Sequence, residues 1–274
     1  MEVWQAALLG LVEGVTEFLP VSSTGHLILT QHVLGIPSSP AVQAFEVCIQ
    51  SGAIAAVLAV FLGRVRRMAL GCVGRDPAGL RLTLQLLVAF VPAGLAALLL
   101  GKAIKAHLFG LTPVVIAWFV GGAVILLVPR LRAGADREEG RPLEALDFRS
   151  AFLIGCVQCL ALWPGTSRSL ATLAGALFLG LSGAAAVEFS LLLGFVTLLA
   201  ATGHDALSEG ATMVRELGVT NLLVGFLAAF ASAFLAVRWL VARLARSGLA
   251  PFGWYRIALA AAVLLWMASG SGPR

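Results

Sequence analysis

Charge is what this chain has least of. Only 12% of its 274 residues are Asp, Glu, Lys or Arg, about half the share of a soluble globular domain. That excludes a soluble fold of this length, whether one large domain or two small ones. Cysteine is scarce as well. Cys48, Cys72, Cys156 and Cys159 lack the spacing of a secreted disulfide scaffold, and the C-x-x-C formed by the last two lies in an apolar helical run, where packing explains it better than redox or metal chemistry. Nor is a cleavable leader expected: Glu2 stands where a cationic start would and no small-residue cleavage pattern follows, so the N-terminus is expected to belong to the mature fold. The net charge of +5 and pI near 9.6 do not mark a nucleic-acid binder, because the arginines fall between apolar segments rather than along one face.

What the chain has is apolar sequence, 59% of it, with a mean hydropathy of +0.96. Apolar centres recur at Phe45 to Leu62, Leu82 to Gly101, Pro113 to Val128, Glu188 to Thr202, Asn221 to Leu240 and Ile257 to Ala268. A helix needs roughly 17 to 25 residues to cross a hydrocarbon core of about 30 Å. The expected fold is therefore an all-α integral membrane protein with six transmembrane helices.

Two further segments are too short or too broken to cross. Trp4 to Leu19 carries two acids and stops at Pro20, and His26 to Leu34 follows; later, Ser150 to Trp163 stops at Pro164, and Ser169 to Leu181 follows. Each pair reads as a re-entrant helical hairpin. LGLVEGVTEFLPVSST aligns with IGCVQCLALWPGTSR, pairing Gly10 with Gly155, Glu13 with Gln158, Pro20 with Pro164 and Ser23 with Ser167 across one deletion; FEVCIQSG likewise aligns with VEFSLLLG, Glu46 opposite Glu188. Residues 1–129 form a first repeat, hairpin 1–34 plus three spans. Residues 130–149 are a cytoplasmic linker, and residues 150–274 form a second repeat that opens with hairpin 150–181. An odd number of crossings per repeat inverts the second copy, as in transporters with inverted repeats. Charge supports that orientation. The loops Arg64 to Arg81 and Arg238 to Arg256 are arginine-rich and expected inside, while His204 to Gly218 is acidic and expected outside. The hairpins would then enter from opposite faces, the first from outside, and meet at mid-membrane.

Broken helices survive in a membrane only where protein or a watery cavity satisfies the freed backbone. Into such a place the first hairpin brings Glu13 and Glu17, stacked four apart on one helix face, then Ser22, Ser23, Thr24, Gly25 and His26. The second brings Thr166, Ser167, Arg168, Ser169 and Thr172. Hydroxyls alone commonly glue membrane helices together, and the acids could pair with Arg168 as a buried salt bridge. Three intramembrane ionisable groups, however, point to function. Arg168 at a turn that opens a helix suits phosphate, through its planar fork and the free N–H groups of the helix start. The acids would repel that anion unless a divalent cation, Mg²⁺ or Ca²⁺, sits on Glu13 and Glu17. A hydroxyl with a histidine in reach completes a phosphoryl-transfer set, with Ser23, His26 or a metal-activated water as the attacking group and His26 or Glu17 taking the Ser23 proton. Glu46, Gln50 and Glu188 are weaker candidates. His32, His107 and His204 are expected near span ends, and Trp4, Trp118, Trp163, Trp239, Trp254 and Trp266 in interface belts.

The motifs EGVTEFLPVSSTGHLIL, FEVCIQSGAIAAV, ALWPGTSRSLAT and EFSLLLG, in this order and covering essentially the whole chain, resemble those of the bacterial undecaprenyl-diphosphate phosphatase family, also called bacitracin-resistance proteins. The resemblance implies a multi-pass enzyme of the bacterial plasma membrane, dependent on a divalent metal and opening to the external side. Such an enzyme hydrolyses a C55 polyprenyl diphosphate to the monophosphate and recycles a carrier for cell-wall synthesis. Glu13 and Glu17 match the family's paired acids, Ser23 and His26 its S-S-T-G-H, and Ser167, Arg168, Ser169 and Thr172 its P-G-x-S-R-S-x-x-T; Leu170 stands where the family usually has glycine. The implied partners are the polyprenyl diphosphate and membrane lipid, with no nucleic acid and a homodimer left open. A transporter or flippase for an anionic lipid or solute is the rival reading, since inverted repeats and buried charge suit it too.

Overall fold

The computed structural model describes residues 1–37, 39–108, 110–128 and 140–269, and of Lys105, 204–216 and 243–247 the backbone only. Two short pairs of helices, a set of long apolar helices and one short arginine-bearing helix make up most of the described residues. The first pair is α1 (Val3–Glu17) and α2 (Ser23–Leu34). Then come α3 (Pro40–Val60), α4 (Leu62–Cys72), α5 (Pro77–Leu108) and α6 (Leu111–Leu127). The second short pair is α7 (Phe148–Gln158) and α8 (Arg168–Phe178), followed by α9 (Gly183–Ser247) and α10 (Ala250–Ala268). Local signals start several of these. Ser39 accepts from the Val42 N–H with Pro40 in the first turn, and Asp147 accepts from the Ser150 N–H. Gly218, at φ 74° and ψ 153°, breaks α9 into two.

Among the described residues, five helical stretches are long and apolar enough to cross a membrane: Pro40–Val60, Pro77–Ile104, Gly183–Gly203, Leu217–Ala242 and Ala250–Ala268. The third span expected from sequence corresponds to Leu111–Leu127, which at 17 residues is the shortest of the set. Leu98, Leu99, Leu127 and Leu265 stand 72 to 84% exposed, an apolar surface that water would not tolerate and lipid does. Among the described residues there is no strand, only an isolated bridge between Arg141 and Leu181. The linker expected over 130–149 falls partly on 129–139, outside the described residues; beyond it lies a short 3-10 turn, Leu143–Ala145.

Two stretches read as loops are helical instead. Most of Arg64 to Arg81 lies in α4 and the start of α5, because its arginines alternate with apolar residues at helical spacing: Met68 is buried while Arg66 and Arg67 are exposed. Arg238 lies inside α9, and Arg256 lies inside α10 with no exposed surface.

Glycines let the helices approach closely, as membrane packing requires. α1 lies against the second half of α9, where a Cβ on Gly10 would come within 2.3 Å of the Gly225 carbonyl. α7 lies against α5 in the same way, with Gly155 facing the Ala89 carbonyl at 2.2 Å. The main core gathers Phe18, Ala53, Val57, Leu86, Phe189, Leu192 and Val237. It sits directly beneath the turn that ends α1.

Candidate functional site

α1 ends at Glu17 and α2 begins at Ser23, so the carbonyls of Leu19, Pro20 and Val21 lie outside any helical ladder, while that of Ser22 takes the first bond of α2 from the His26 N–H at 3.3 Å. Each of these four also meets a side-chain donor. Leu19 O accepts from the Ser169 hydroxyl at 2.9 Å, Pro20 O from Arg256 Nη1 at 3.2 Å, Val21 O from Trp118 Nε1 at 3.1 Å and Ser22 O from His26 Nδ1 at 2.7 Å. In the second turn Gly165 O accepts from Arg256 Nη2 at 2.8 Å, and Trp163 O from the Thr166 N–H at 3.1 Å. The protein itself therefore supplies what bilayer lipid cannot.

The turns share a backbone signature. Ser22 and Ser167 cap α2 and α8 at φ 75° and 76°, the only non-glycine residues described at positive φ. A side chain there is strained by roughly 1 to 3 kcal/mol, a reserve that clusters at functional sites. Ser167 less Ser22 is 145, the offset of Gly155 from Gly10 and of Gln158 from Glu13; at that offset Ser23 falls opposite Arg168, where the motif alignment set it opposite Ser167.

Those opposed residues meet at one carboxylate. The Ser23 hydroxyl donates to Glu17 Oε2, and Arg168 Nη2 donates to Glu17 Oε1 at 3.0 Å. The Glu17 and Arg168 side chains are 6% and 12% exposed. Arg168 lies over the Phe18 ring at 5.8 Å and fills the space left by Gly194, where a Cβ would come within 2.1 Å of Nη1. Among the described residues its Nε and Nη1 are buried without a partner, and so is Glu13 Oε2, whose carboxyl group lies within reach of Glu17. Two helix N-termini, at Ser23 and Arg168, converge here with their positive ends. Unpaired guanidinium donors between two such ends make an anion site.

Other sequence candidates are placed differently. His26 does not reach Ser23 by hydrogen bond: Nδ1 holds the Ser22 carbonyl, Nε2 lies 2.8 Å from the Tyr255 hydroxyl, and the ring stacks on Tyr255. Thr24 is exposed, and Gly25 packs on Trp118. Ser167 caps α8 through the Leu170 N–H and shares a 3.0 Å bond with Ser169, whose hydroxyl ties the two turns together. Thr172 is fully buried, with its hydroxyl on the Arg168 carbonyl and on Ser190. Thr166 faces an apolar cavity of about 750 Å³ beside the turn, lined also by Ile116, Val120, Leu160 and Trp163.

Glu46 accepts from Gln31, and Gln50 from Thr202. Glu188 pairs with Arg64, away from the turns. His32 and His107 are exposed and bond to carbonyls one turn back; the side chain of His204 lies outside the described residues. Trp118 is not at an interface but fully buried beneath the first turn. The four cysteines are free thiols.

Sequence reasoning missed Arg256, Trp118 and Tyr255. A signal existed for the first: Arg256 directly precedes the sixth apolar segment, Ile257 to Ala268, and is the one charged residue from Pro251 to Ala268. Counting it with the loop arginines hid it.

Fold and site together define a multi-pass helical membrane protein with a buried polar centre, built where two interrupted helix pairs touch. Residues 6–262 match the family described as bacitracin resistance protein BacA, and the chain belongs to that family. It is 48% identical to the undecaprenyl-diphosphatase of Sorangium cellulosum, over 96% of this chain and 86% of that protein. It is 47% identical to the undecaprenyl-diphosphatase of Thermus thermophilus, over 95% and 96%. The undecaprenyl-diphosphatase of Acidovorax ebreus is 44% identical, over 97% and 95%.

Proposed function

We propose that this protein hydrolyses undecaprenyl diphosphate to undecaprenyl phosphate and inorganic phosphate, recycling the carrier for cell-wall synthesis and conferring bacitracin resistance. The observation that carries the reading is the Glu17 carboxylate shared by the Ser23 hydroxyl and Arg168, with two Arg168 donors left unpaired. The family and its undecaprenyl-diphosphatase relatives support the same substrate. They disfavour a transporter or flippase.

The diphosphate docks on the free Nε and Nη1 of Arg168 and on the N-terminal turns of α2 and α8. Ser23 Oγ attacks the terminal phosphorus as its proton passes to Glu17 Oε2. The bond from phosphorus to the bridging oxygen breaks, and its electron pair leaves with undecaprenyl phosphate. The departing phosphate oxygen takes that proton from Glu17; water then attacks the phosphoserine as its own proton passes to Glu17 Oε2, the bond from phosphorus to Oγ breaks, and Oγ recovers the proton as inorganic phosphate leaves. His26 acts one step back, holding the Ser22 carbonyl and so the backbone that presents Ser23. Ser167, Ser169 and Thr172 position α8, and their hydroxyls are turned to the protein.

A divalent cation belongs to this reading, and the residues fit one: Glu13 Oε2 is a buried oxygen without a partner beside Glu17. Among the described residues no third His, Cys, Asp or Glu joins them, which suits Mg²⁺, a cation that keeps water and substrate oxygens in its shell. Bound there, it neutralises phosphoryl charge. The isoprenoid tail stays in lipid and against apolar surface such as the cavity beside the second turn.

The finer topology belongs to the same proposal. Leu111–Leu127 completes six spans, the short pairs are re-entrant from opposite faces, and the halves are inverted copies. The paired serine caps and the matching contacts of Gly10 and Gly155 support it. The protein sits in the bacterial plasma membrane with its site open to the external side. Phosphate release from undecaprenyl diphosphate by purified protein in detergent, with and without chelator, tests the reading. Hydrolysis proceeds in one compartment, whereas transport needs two. Arg168→Ala and Glu17→Ala are expected to abolish release; parental rates in either would overturn the assignment.

A further inference from the structure

We infer that Arg256 is a positioning residue that sets the spacing between Ser23 and Arg168 by clamping both turns at once. It has no exposed surface, and among the described residues all its hydrogen bonds go to backbone carbonyls: Trp118 O at 3.4 Å, Ala117 O at 2.9 Å, Pro20 O at 3.2 Å and Gly165 O at 2.8 Å. No carboxylate pairs with it among the described ion pairs. A buried arginine without a counter-ion is disfavoured on every membrane insertion scale, so its retention needs a reason.

The internal symmetry supplies one. At the offset of 145, Pro20 and Gly165 are equivalent positions, each three residues ahead of the group its turn brings to Glu17, Ser23 in one case and Arg168 in the other. One rigid guanidinium thus spans equivalent carbonyls of both turns, Nη1 on the first and Nη2 on the second. Its Nε and the rest of Nη2 anchor that bridge to α6. Gly121 makes the room, since a Cβ there would lie 2.3 Å from Nη2. A lysine has one nitrogen and no fork, so it cannot hold both carbonyls and α6 together. Tyr255, the preceding residue, holds His26. The start of α10 therefore grips the first turn at two places and the second at one.

The kinetic consequence rests on the phosphatase reading; the clamp itself does not. The test uses full-length Arg256→Lys in detergent, measured for kcat, KM, melting temperature and backbone hydrogen exchange over residues 18–26 and 163–171. Val263→Ala serves as control, a buried core position further along the same helix. Arg256→Lys is expected to lower kcat at least tenfold with KM within threefold, and to speed exchange in both turns together. Val263→Ala is expected to lose melting temperature with little change in kcat. Parental kcat in Arg256→Lys, faster exchange in one turn only, or an equal kcat loss in Val263→Ala at matched thermal loss would each overturn the proposal. Should the parent release no phosphate while exchange in the two turns still rises together, the clamp stands and the phosphatase reading fails. Gly121→Ala, which crowds the guanidinium without removing it, is expected to shift kcat and turn exchange in the same direction; no effect on either would count against the clamp.

Discussion

Gly194→Ala separates catalysis from stability. The added Cβ would lie 2.1 Å from Arg168 Nη1 and 2.7 Å from Cζ, whereas carbon contacts settle near 3.5 Å. The guanidinium must therefore withdraw by about 1.4 Å, and as the tip of a flexible side chain it can do so without moving any helix. That shift breaks its 3.0 Å bond to Glu17 and misplaces the donors meant for phosphate. A misplacement of about 1 Å can cost 10²-fold in rate, which corresponds to roughly 2.7 kcal/mol of transition-state stabilisation. Alanine meanwhile favours the helix by about 1 kcal/mol over glycine. The variant is expected to melt at or above the parental temperature while kcat/KM for undecaprenyl diphosphate falls about 100-fold. Gly203→Ala, on the same helix with nothing within 4 Å of its Cβ, is the matched control and should keep parental turnover. Activity in Gly194→Ala within threefold of the parent would show that Arg168 does not work from this position.

Ser23→Ala should remove turnover by at least 10³-fold, whereas Ser22→Gly, which relieves a positive φ, should keep it and gain about 1 kcal/mol in stability; phosphate release and thermal melts compare the pair. Trp118→Phe leaves the Val21 carbonyl without its donor and is expected to cost about 1 to 3 kcal/mol in denaturant unfolding. Gly10→Ala and Gly155→Ala push helices apart against backbone oxygens and should destabilise by about 1 to 3 kcal/mol each, equally if the halves are copies. Outside the membrane, the Ser150 N–H, its hydroxyl and Arg141 hold the Asp147 carboxyl below its ordinary range. A lowered folded-state pKa contributes stability above the ordinary aspartate value, near 4, and loses it as pH falls through the folded value. Asp147→Ala should therefore lower the melting temperature at pH 7 and make a shrinking difference below pH 4.

Membrane residence, helix type and the polar turns were written in the order of residues, because apolar run length and proline breaks act locally along the chain. Glu13, Glu17 and Arg168 stood out for the same reason: a charged group inside an apolar run is visible without coordinates. Ser23 stood out by its place in the hydroxyl cluster that follows the two acids. Which hydroxyl faces which acid was not visible. His26 and Glu17 both stood as the base for Ser23, and the choice between them was spatial: the backbone at Ser22 turns the His26 ring toward Tyr255, 229 positions away, and leaves Glu17 as the acceptor. Arg256 looked like a loop cation because sequence gives charge and neighbours but not depth.

The sequence by itself determined that the chain folds as apolar helices with two interruptions carrying acids, hydroxyls and one arginine. Only the tertiary structure decided that those interruptions touch, that Glu17 joins Ser23 to Arg168, and that a second arginine ties the turns from behind. The reason is physical: hydrophobic run length and helix breaking depend on neighbours in the chain, whereas a freed carbonyl in a membrane is satisfied by whichever distant donor packing brings within about 3 Å.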